Sequence, residues 1–221
     1  MYYQLNSLVL KERIAAEADK MVTLYTLEWG KIIAVVPGAK KIKAKLSAAT
    51  EPIMESDLMV YVTNPTALAK VTGAVIVDSF TALRTDWRRF VMAQSCGEIV
   101  DALTPLNAEN PKKYELLSRT WKILETAKHP WRIFAAFTLR FLKLSGYSFT
   151  DYINHGDTGI PETEKQMIRL LATLSGEDVD RDMDMSQDME KKISGHLYAY
   201  LNLYVPFPLG TREFWRKVDK R

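Results

Sequence analysis

The sequence predicts an α+β protein of two domains, in which a small β-barrel precedes an all-helical region. Residues 1–79 contain five short segments rich in Val, Ile, Thr and Tyr, which are separated by turn residues. Residues 80–221 instead show apolar residues at three- and four-residue spacing, which is typical of helices. Because 47% of the 221 residues are apolar, we expect both parts to bury a core.

The five strand signals are short and regularly spaced, with one longer excursion between the third and the fourth. The second strand, KMVTLYT, alternates, and Pro37-Gly38 and Asn64-Pro65 supply turns. This spacing suggests a closed barrel, and the OB-fold is the commonest such barrel that serves binding, although periodicity alone does not separate it from other small barrels. The predicted strands are residues 5–11, 20–26, 31–36, 58–63 and 68–77.

The helical region carries start and stop signals. Asn110 is a good N-cap before Pro111, and Ser186 can cap the last long helix, expected to end near residue 204. Gly146 can end the helix over residues 131–144 in a left-handed conformation. We expect a loop over residues 148–160 and an exposed acidic segment over 177–184. The other predicted helices cover residues 84–103, 111–124 and 161–176.

Composition and motifs argue against several classes of protein. Cys96 is the single cysteine, so a disulfide framework and a zinc site of several thiolates are excluded. We find no glycine-rich phosphate loop and no catalytic constellation, so we expect no enzyme, no cofactor and no metal. Without a long apolar run or a secretory signal, a soluble cytoplasmic protein with no membrane partner is expected.

A lysine-rich segment, Lys40 to Lys45, follows the third predicted strand. From Lys31 to Lys45 there are five lysines and no acidic residue: Lys31, Lys40, Lys41, Lys43 and Lys45. Flexible lysines without a neighbouring carboxylate suit the phosphate backbone of a nucleic acid, with no reading of bases. Lys11 and Arg13, at the end of the first strand, are candidates for the border of the same groove. A lysine-rich loop is also common as a solvated surface.

Aromatic residues of the barrel are candidates for stacking on unpaired bases. They are Tyr25, Trp29 and Tyr61. Aromatic side chains in strands more often belong to the core, so the alternative is that each packs inside the barrel.

The segment from Glu17 to Pro52 resembles the N-terminal barrel of the RecO family, bacterial recombination mediators. The shared motifs are a Glu-Ala-Asp entry to the second strand, a Thr, an acid and Gly-Lys around the next turn, and a Gly-Ala-Lys turn before a basic loop that ends near a proline. LVLKER also resembles the family's first strand. The matching residues are Glu17, Ala18, Asp19, Thr26, Glu28, Gly30, Lys31, Gly38, Ala39, Lys40 and Pro52.

The helical region carries further pieces of the resemblance, in the family's order. FTLRFLKLSGY (137–147) is similar to the family's helix that ends in Leu-x-Gly-Tyr, and YLNLYVPFPLGTREFW (200–215) is similar to its closing segment. Many members carry zinc-binding cysteines after the Gly-Tyr pair, but SFTDYINHGD has none. We therefore expect a short form without structural zinc.

The resemblance implies a non-enzymatic role in DNA repair and recombination. Members of the family bind single- and double-stranded DNA and anneal complementary strands in the bacterial cytoplasm, at the nucleoid. They act with the partner protein RecR and with single-stranded-DNA-binding protein to load the RecA recombinase. The alternative from another class is an adaptor whose barrel binds protein and whose basic loop is incidental.

A second candidate site lies on the predicted helix over residues 131–144. Arg132, Arg140 and Lys143 form a narrow basic stripe beside an aromatic seam that includes Phe137. An acidic partner tail that ends in an aromatic residue would suit such a surface, and the resemblance implies the tail of single-stranded-DNA-binding protein. The family's basic residues before its Phe are Ala135 and Ala136 here. Structural packing, with the arginines exposed to solvent, is therefore the favoured interpretation.

Overall fold

The structure is a computed structural model that describes residues 1–15, 19–38, 45–64, 67–181, 183–205 and 210–211. The chain divides into two compact units, which are described separately. The first comprises residues 1–81 and 104–118, and the second comprises 82–103 and 119–221. The domain boundary expected after residue 79 did not anticipate that the chain returns to the first unit over residues 104–118.

The first unit is built on five strands. They are β1 (Tyr2–Ile14), β2 (Lys20–Thr26), β3 (Gly30–Val36), β4 (Glu55–Tyr61) and β5 (Ala69–Asp78), with a short helix α1 (Lys45–Ala49) between β3 and β4. The strands close into a barrel in the order β1-β2-β3-β5-β4. All neighbours are antiparallel except β3 and β5, which pair in parallel through Ala34–Ala69 and Val35–Lys70.

The core of the barrel follows from the alternation of side chains along its strands. On β3, every second residue from Gly30 to Val36 is buried, as expected for a strand with one face inward. The buried cluster combines apolar side chains from all five strands, among them Val9, Leu24, Ile32, Leu58 and Val71. Burial of such side chains is the main favourable term that closes the barrel.

After β5, the described part of the chain is mainly helical. Its helices are α2 (Thr81–Thr85), α3 (Trp87–Leu103), α4 (Pro111–Leu124), α5 (Pro130–Leu144), α6 (Phe149–His155), α7 (Glu162–Thr173), α8 (Gly176–Arg181) and α9 (Gln187–Leu201). In the second unit α5 is central, because ten of its 15 residues are buried and it packs against α3, α7 and α8. No helix in the described ranges is long and apolar enough to cross a membrane.

The α+β class is confirmed, and most element boundaries lie within three residues of the prediction. Strand β2 has the predicted limits, Lys20–Thr26, whereas β1 extends three residues further at each end. Ser186 caps α9 as expected, since its Oγ accepts a hydrogen bond from the Met189 N–H at 3.2 Å. Helix α9 ends at Leu201, three residues earlier than predicted.

Four short helices of the described chain, α1, α2, α6 and α8, were not predicted as separate elements, and the last two lie where other structure was expected. The expected loop over residues 148–160 contains α6, whose N-terminus is capped by Ser148 and whose Phe149 and Ile153 are buried. The acidic segment expected to be exposed contains α8, which begins after a Ser175 cap and buries Val179. Both helices are too short to show a helical period in the sequence, because a single buried pair or residue fixes each of them.

Candidate nucleic-acid interface

The turn between β2 and β3 is held by the motif residues that the sequence singled out. The Thr26 Oγ1 accepts a hydrogen bond from the Trp29 N–H and donates one to the Gly30 carbonyl, both at 3.0 Å. The Glu28 carboxylate accepts bonds from the backbone and side-chain amides of Asn6, the shorter at 2.8 Å. The Thr26 bonds therefore close the turn, and the Glu28 bonds attach it to β1.

Gly30 is required at its position for two reasons. Its φ of +67° lies in the left-handed region, where a Cβ is strained. A Cβ there would also lie 2.0 Å from the Ala108 carbonyl oxygen, because residues 106–108 cross the start of β3. The crossing is fixed by a hydrogen bond from the Asn107 N–H to the Lys31 carbonyl at 2.8 Å.

Both ends of the lysine-rich segment are anchored to the start of β2. On one side, the Asp19 carboxylate accepts a hydrogen bond at 2.8 Å from the Gly38 N–H, in a turn where Gly38 has a φ of +64°. On the other side, the Lys20 Nζ donates to the Ser47 and Thr50 carbonyls at the end of α1, and pairs with Glu12 at 2.7 Å. The residues that precede and follow the lysine-rich segment are thus both attached to the start of β2.

Three of the predicted lysines, Lys40, Lys41 and Lys43, lie outside the described residues, and so does the side chain of Lys45. The structure brings Arg13 to the same end of the barrel as the anchored segment, whereas Lys11 pairs with Thr23, which pairs with Ile33 in the middle of β3. Arg13 pairs with Met21 on β2, and Met21 pairs with Val35 on β3. Two spacings between neighbouring strands therefore place Arg13 about 10 Å from the end of β3.

Lys31 is not part of this group. It lies at the opposite end of β3, five residues before Val36, which corresponds to about 16 Å along the strand. Its backbone carbonyl accepts the Asn107 bond, so Lys31 belongs instead with the segment that crosses the start of β3.

Tyr25 is not a stacking platform. It is fully buried in the first unit, and its hydroxyl donates a hydrogen bond to the Asn110 carbonyl at 3.4 Å. Burial raises the pKa of its phenol to about 12. Tyr25 is buried, as the alternative interpretation expected, but not inside the barrel. It lies on the opposite face of β2 from the core residues Val22 and Leu24, next to the returning segment that contains Asn110.

The other two aromatic candidates reach the surface, each next to a tyrosine of β1. Trp29 is half-buried and meets Tyr3 edge-on, with ring centroids 4.8 Å apart. Tyr61 is half-buried and tilted against Tyr2 at 5.0 Å. The tyrosines of β1 were not anticipated as site residues, because nothing in the sequence near Trp29 or Tyr61 indicates which strand will lie beside them.

The basic stripe of α5 has mainly structural contacts. Arg132 is buried, and its guanidinium donates to Glu190 and to the Met183 and Met185 carbonyls at 2.6–2.8 Å. Arg140 donates to the carbonyls of Leu171, Ala172 and Leu174 at the end of α7. Burial, together with the charge of Arg119, lowers the pKa of Arg140.

Phe137 is also unavailable to a partner in this structure. Only 1% of its surface is exposed, and its ring stacks on Phe141 with centroids 5.5 Å apart. Of the four residues predicted for the partner site on α5, Lys143 alone is exposed. The favoured sequence interpretation, structural packing, therefore describes Arg132, Arg140 and Phe137, although the arginines are less exposed than expected.

No group of three or more His, Cys, Asp and Glu side chains within the described part of the chain is arranged to share a metal ion. Cys96 is buried, and burial raises the pKa of its thiol well above the usual value. The described residues thus offer neither a metal-ligand cluster nor an activated thiol.

Comparison with known proteins agrees with the motifs. Residues 1–80 match the family model described as recombination protein O N terminal, and residues 84–150 match recombination protein O C terminal. The chain belongs to the RecO family. The two RecO matches follow each other in the order that the sequence motifs indicated, and together they reach from the barrel to the start of α6.

Curated relatives carry the name DNA repair protein RecO. The protein of Heliobacterium modesticaldum is 38% identical over 146 residues, 66% of this chain and 52% of the relative, and that of Symbiobacterium thermophilum is 32% identical over 146 residues, 66% and 57%. These alignments span only about half the length of the relatives. The RecO of Listeria monocytogenes aligns over 96% of this chain and 93% of its own length, at 23% identity.

Proposed function

We propose that this RecO-family chain binds single- and double-stranded DNA, anneals complementary strands and mediates recombination in DNA repair without enzymatic activity. The observation that carries the proposal is the lysine-rich segment, which the family motifs flank and which Asp19 and Lys20 anchor at both ends. An anchored basic segment offers charges to a DNA backbone from a defined place on the barrel.

The barrel itself supports this role if it is an OB-fold, as we propose. An OB-fold is a five-stranded Greek-key barrel that binds nucleic acids across its middle strands and nearby loops. The order β1-β2-β3-β5-β4, the parallel β3–β5 pair and the helix α1 between β3 and β4 are consistent with that topology. The proposed contacts are Lys11, Arg13, Lys31, Lys40, Lys41, Lys43 and Lys45.

The mechanism of backbone binding is counterion release. Each lysine that neutralises a phosphate frees a condensed cation, so affinity depends steeply on salt and little on sequence. A protein that holds strands in this way, without reading bases, can bring complementary strands together. The proposed partners are a RecR-like protein and the C-terminal tail of single-stranded-DNA-binding protein, and the proposed outcome is loading of RecA at the nucleoid in the cytoplasm.

The experiment that tests the proposal is a salt titration of DNA binding by fluorescence anisotropy. Lys40, Lys41, Lys43 and Lys45 are all changed to Ala, and a control variant loses four exposed lysines elsewhere, Lys112, Lys122, Lys128 and Lys191. If the four segment lysines each contact a phosphate of single-stranded DNA, the slope of log affinity against log salt becomes shallower by about 3 in the first variant.

The outcomes separate the proposed role from an adaptor role. Equal slopes in the two variants would remove the DNA site from the lysine-rich segment. Absence of DNA binding by the unmodified protein would favour the adaptor. The annealing rate of complementary oligonucleotides, measured in parallel, is expected to fall in the segment variant and to stay unchanged in the control variant.

A further inference from the structure

The first unit contains a groove that the lysine-rich segment does not explain. It has a volume of about 780 Å³, within the range of ligand sites in proteins. Its walls come from the start of β1, the β2–β3 turn, β3, residues 62–64 and 67–69, and residues 106–107. All of these belong to the same unit, so the groove is a property of the barrel and of the chain that returns to it.

The walls of the groove combine aromatic and aliphatic surfaces. Tyr3 and Trp29 meet edge-on at one wall, and Leu68 and Leu106, about half exposed (50% and 51%), lie at others. Apolar side chains this exposed on a single concave surface indicate a place where apolar surface of a ligand is buried.

The polar groups of the groove favour a ligand with hydrogen-bonding edges. Asn64 and Asn107 line it, and an amide can both donate to and accept from the edge of a base. Asn107 has a left-handed backbone conformation, φ +57°, and its N–H donates to the Lys31 carbonyl on β3. This backbone hydrogen bond fixes the position of Asn107 at the groove.

The charges around the groove favour an anionic chain. None of the described residues that line it is acidic. By the period of two along a strand, Lys31 lies on the same face of β3 as Ile33, which lines the groove. Exposed Lys70 directly follows the lining residue Ala69 at the start of β5. Flat apolar groups joined by phosphates match aromatic walls flanked by lysines.

We propose that this groove receives an unpaired base of single-stranded DNA, with Tyr3 and Trp29 as the stacking surface. The inference rests on the proposed function and deepens it, since it adds a base contact to the backbone contacts. Val36, where β3 ends before the lysine-rich segment, is three residues from Ile33 in the groove, about 10 Å along the strand. One DNA strand can therefore reach the groove and the end of β3 together.

The test compares a short single-stranded oligonucleotide with an abasic chain of the same length and charge. Both are titrated against three proteins: the unmodified protein, the groove variant Tyr3→Ser/Leu68→Ser, and a control variant Val75→Ser/Val77→Ser. The control residues are exposed apolar positions on β5 that do not line the groove. Circular dichroism melting of each protein checks that it is folded.

The unmodified protein is expected to bind the base-bearing chain about tenfold more tightly than the abasic chain, from the stacking of one base. The groove variant is expected to lose that preference while it keeps the salt slope, because no charge is changed. The control variant is expected to keep both.

Two results would overturn the base site alone. One is equal affinity of the unmodified protein for the base-bearing and the abasic chain, a result that does not depend on any variant. The other is a folded groove variant with the preference of the control. Failure of the unmodified protein to bind either chain at any salt concentration would overturn the proposed function as well.

Discussion

At the scale of single residues, the motifs that carry the family resemblance are mainly structural. Thr26 and Glu28 hold the β2–β3 turn, and Asp19 holds the turn at Gly38. Arg132 on α5, a candidate partner contact rather than a residue of the family motifs, is structural as well, because each of its three guanidinium nitrogens donates a hydrogen bond inside the helical unit. A charged residue in a motif can thus hold a turn beside the candidate DNA-binding surface without contacting DNA itself.

Substitution of Arg132 is expected to destabilise the helical unit. Arg132→Ala leaves Glu190 and two carbonyls without their donor, and the loss of one partner of a buried ion pair costs about 3–5 kcal/mol. Lys143→Ala, on the same helix but exposed, is expected to change stability by less than about 0.5 kcal/mol. Urea unfolding followed by circular dichroism measures both, and equal midpoints would contradict the buried role of Arg132.

At the scale of elements, α5 shows how a helix ends where its sequence indicates. Gly146 has a φ of +84°, as expected from its place after the last apolar residue. Its N–H donates to the Lys143 carbonyl at 3.1 Å and the Tyr147 N–H donates to Leu142 at 2.8 Å, the pair of bonds of a Schellman motif. The cap satisfies carbonyls that would otherwise lack partners at the helix end.

A pair of glycine substitutions distinguishes this cap from an ordinary helical glycine. Gly146→Ala places a Cβ in the left-handed region and is expected to reduce the free energy of unfolding by about 1 kcal/mol. Gly195→Ala, inside α9 where a Cβ meets no atom within 4 Å, is expected to increase it by about 0.5–1 kcal/mol. Opposite shifts of the unfolding midpoint are the expected result, and shifts of the same sign would refute the assignment of the cap.

At the scale of the whole molecule, the barrel is not made by its five strands alone. The Glu55 carboxylate, which is buried on β4, accepts hydrogen bonds from Tyr114 at 3.2 Å and from Ser118 at 3.0 Å. Burial, followed by the charge of Glu55, raises the pKa of Tyr114. Residues 104–118 therefore complete the first unit, although residues 82–103 of the second unit precede them in the chain.

Removal of that return is expected to weaken the barrel. A fragment of residues 1–81 lacks the Tyr114 and Ser118 partners of Glu55 and the Asn107 bond to β3, so its thermal midpoint should rise when a peptide of residues 104–118 is added. The matched control is the same peptide with Tyr114→Phe and Ser118→Ala, which should stabilise it less. Melting is measured by circular dichroism. Identical thermal midpoints with and without either peptide would contradict a stabilising role of residues 104–118.

The sequence by itself determined the α+β class, the limits of β2, the caps at Ser186 and Gly146 and the family. Each depends on local signals: a period of two or of about 3.6 residues, a capping side chain, or a glycine where φ is positive. The short helices α6 and α8 escaped because a segment of six or seven residues shows no reliable period.

The tertiary structure alone decided which residues meet. It placed Arg13 beside the anchored segment, Lys11 level with the middle of β3 and Lys31 at the other end of β3. It buried Tyr25, Arg132 and Phe137, and it brought Leu106 and Asn107 to the groove beside Tyr3. Such contacts join positions far apart in the chain, and they depend on closure of the barrel and packing of helices, which no local pattern encodes.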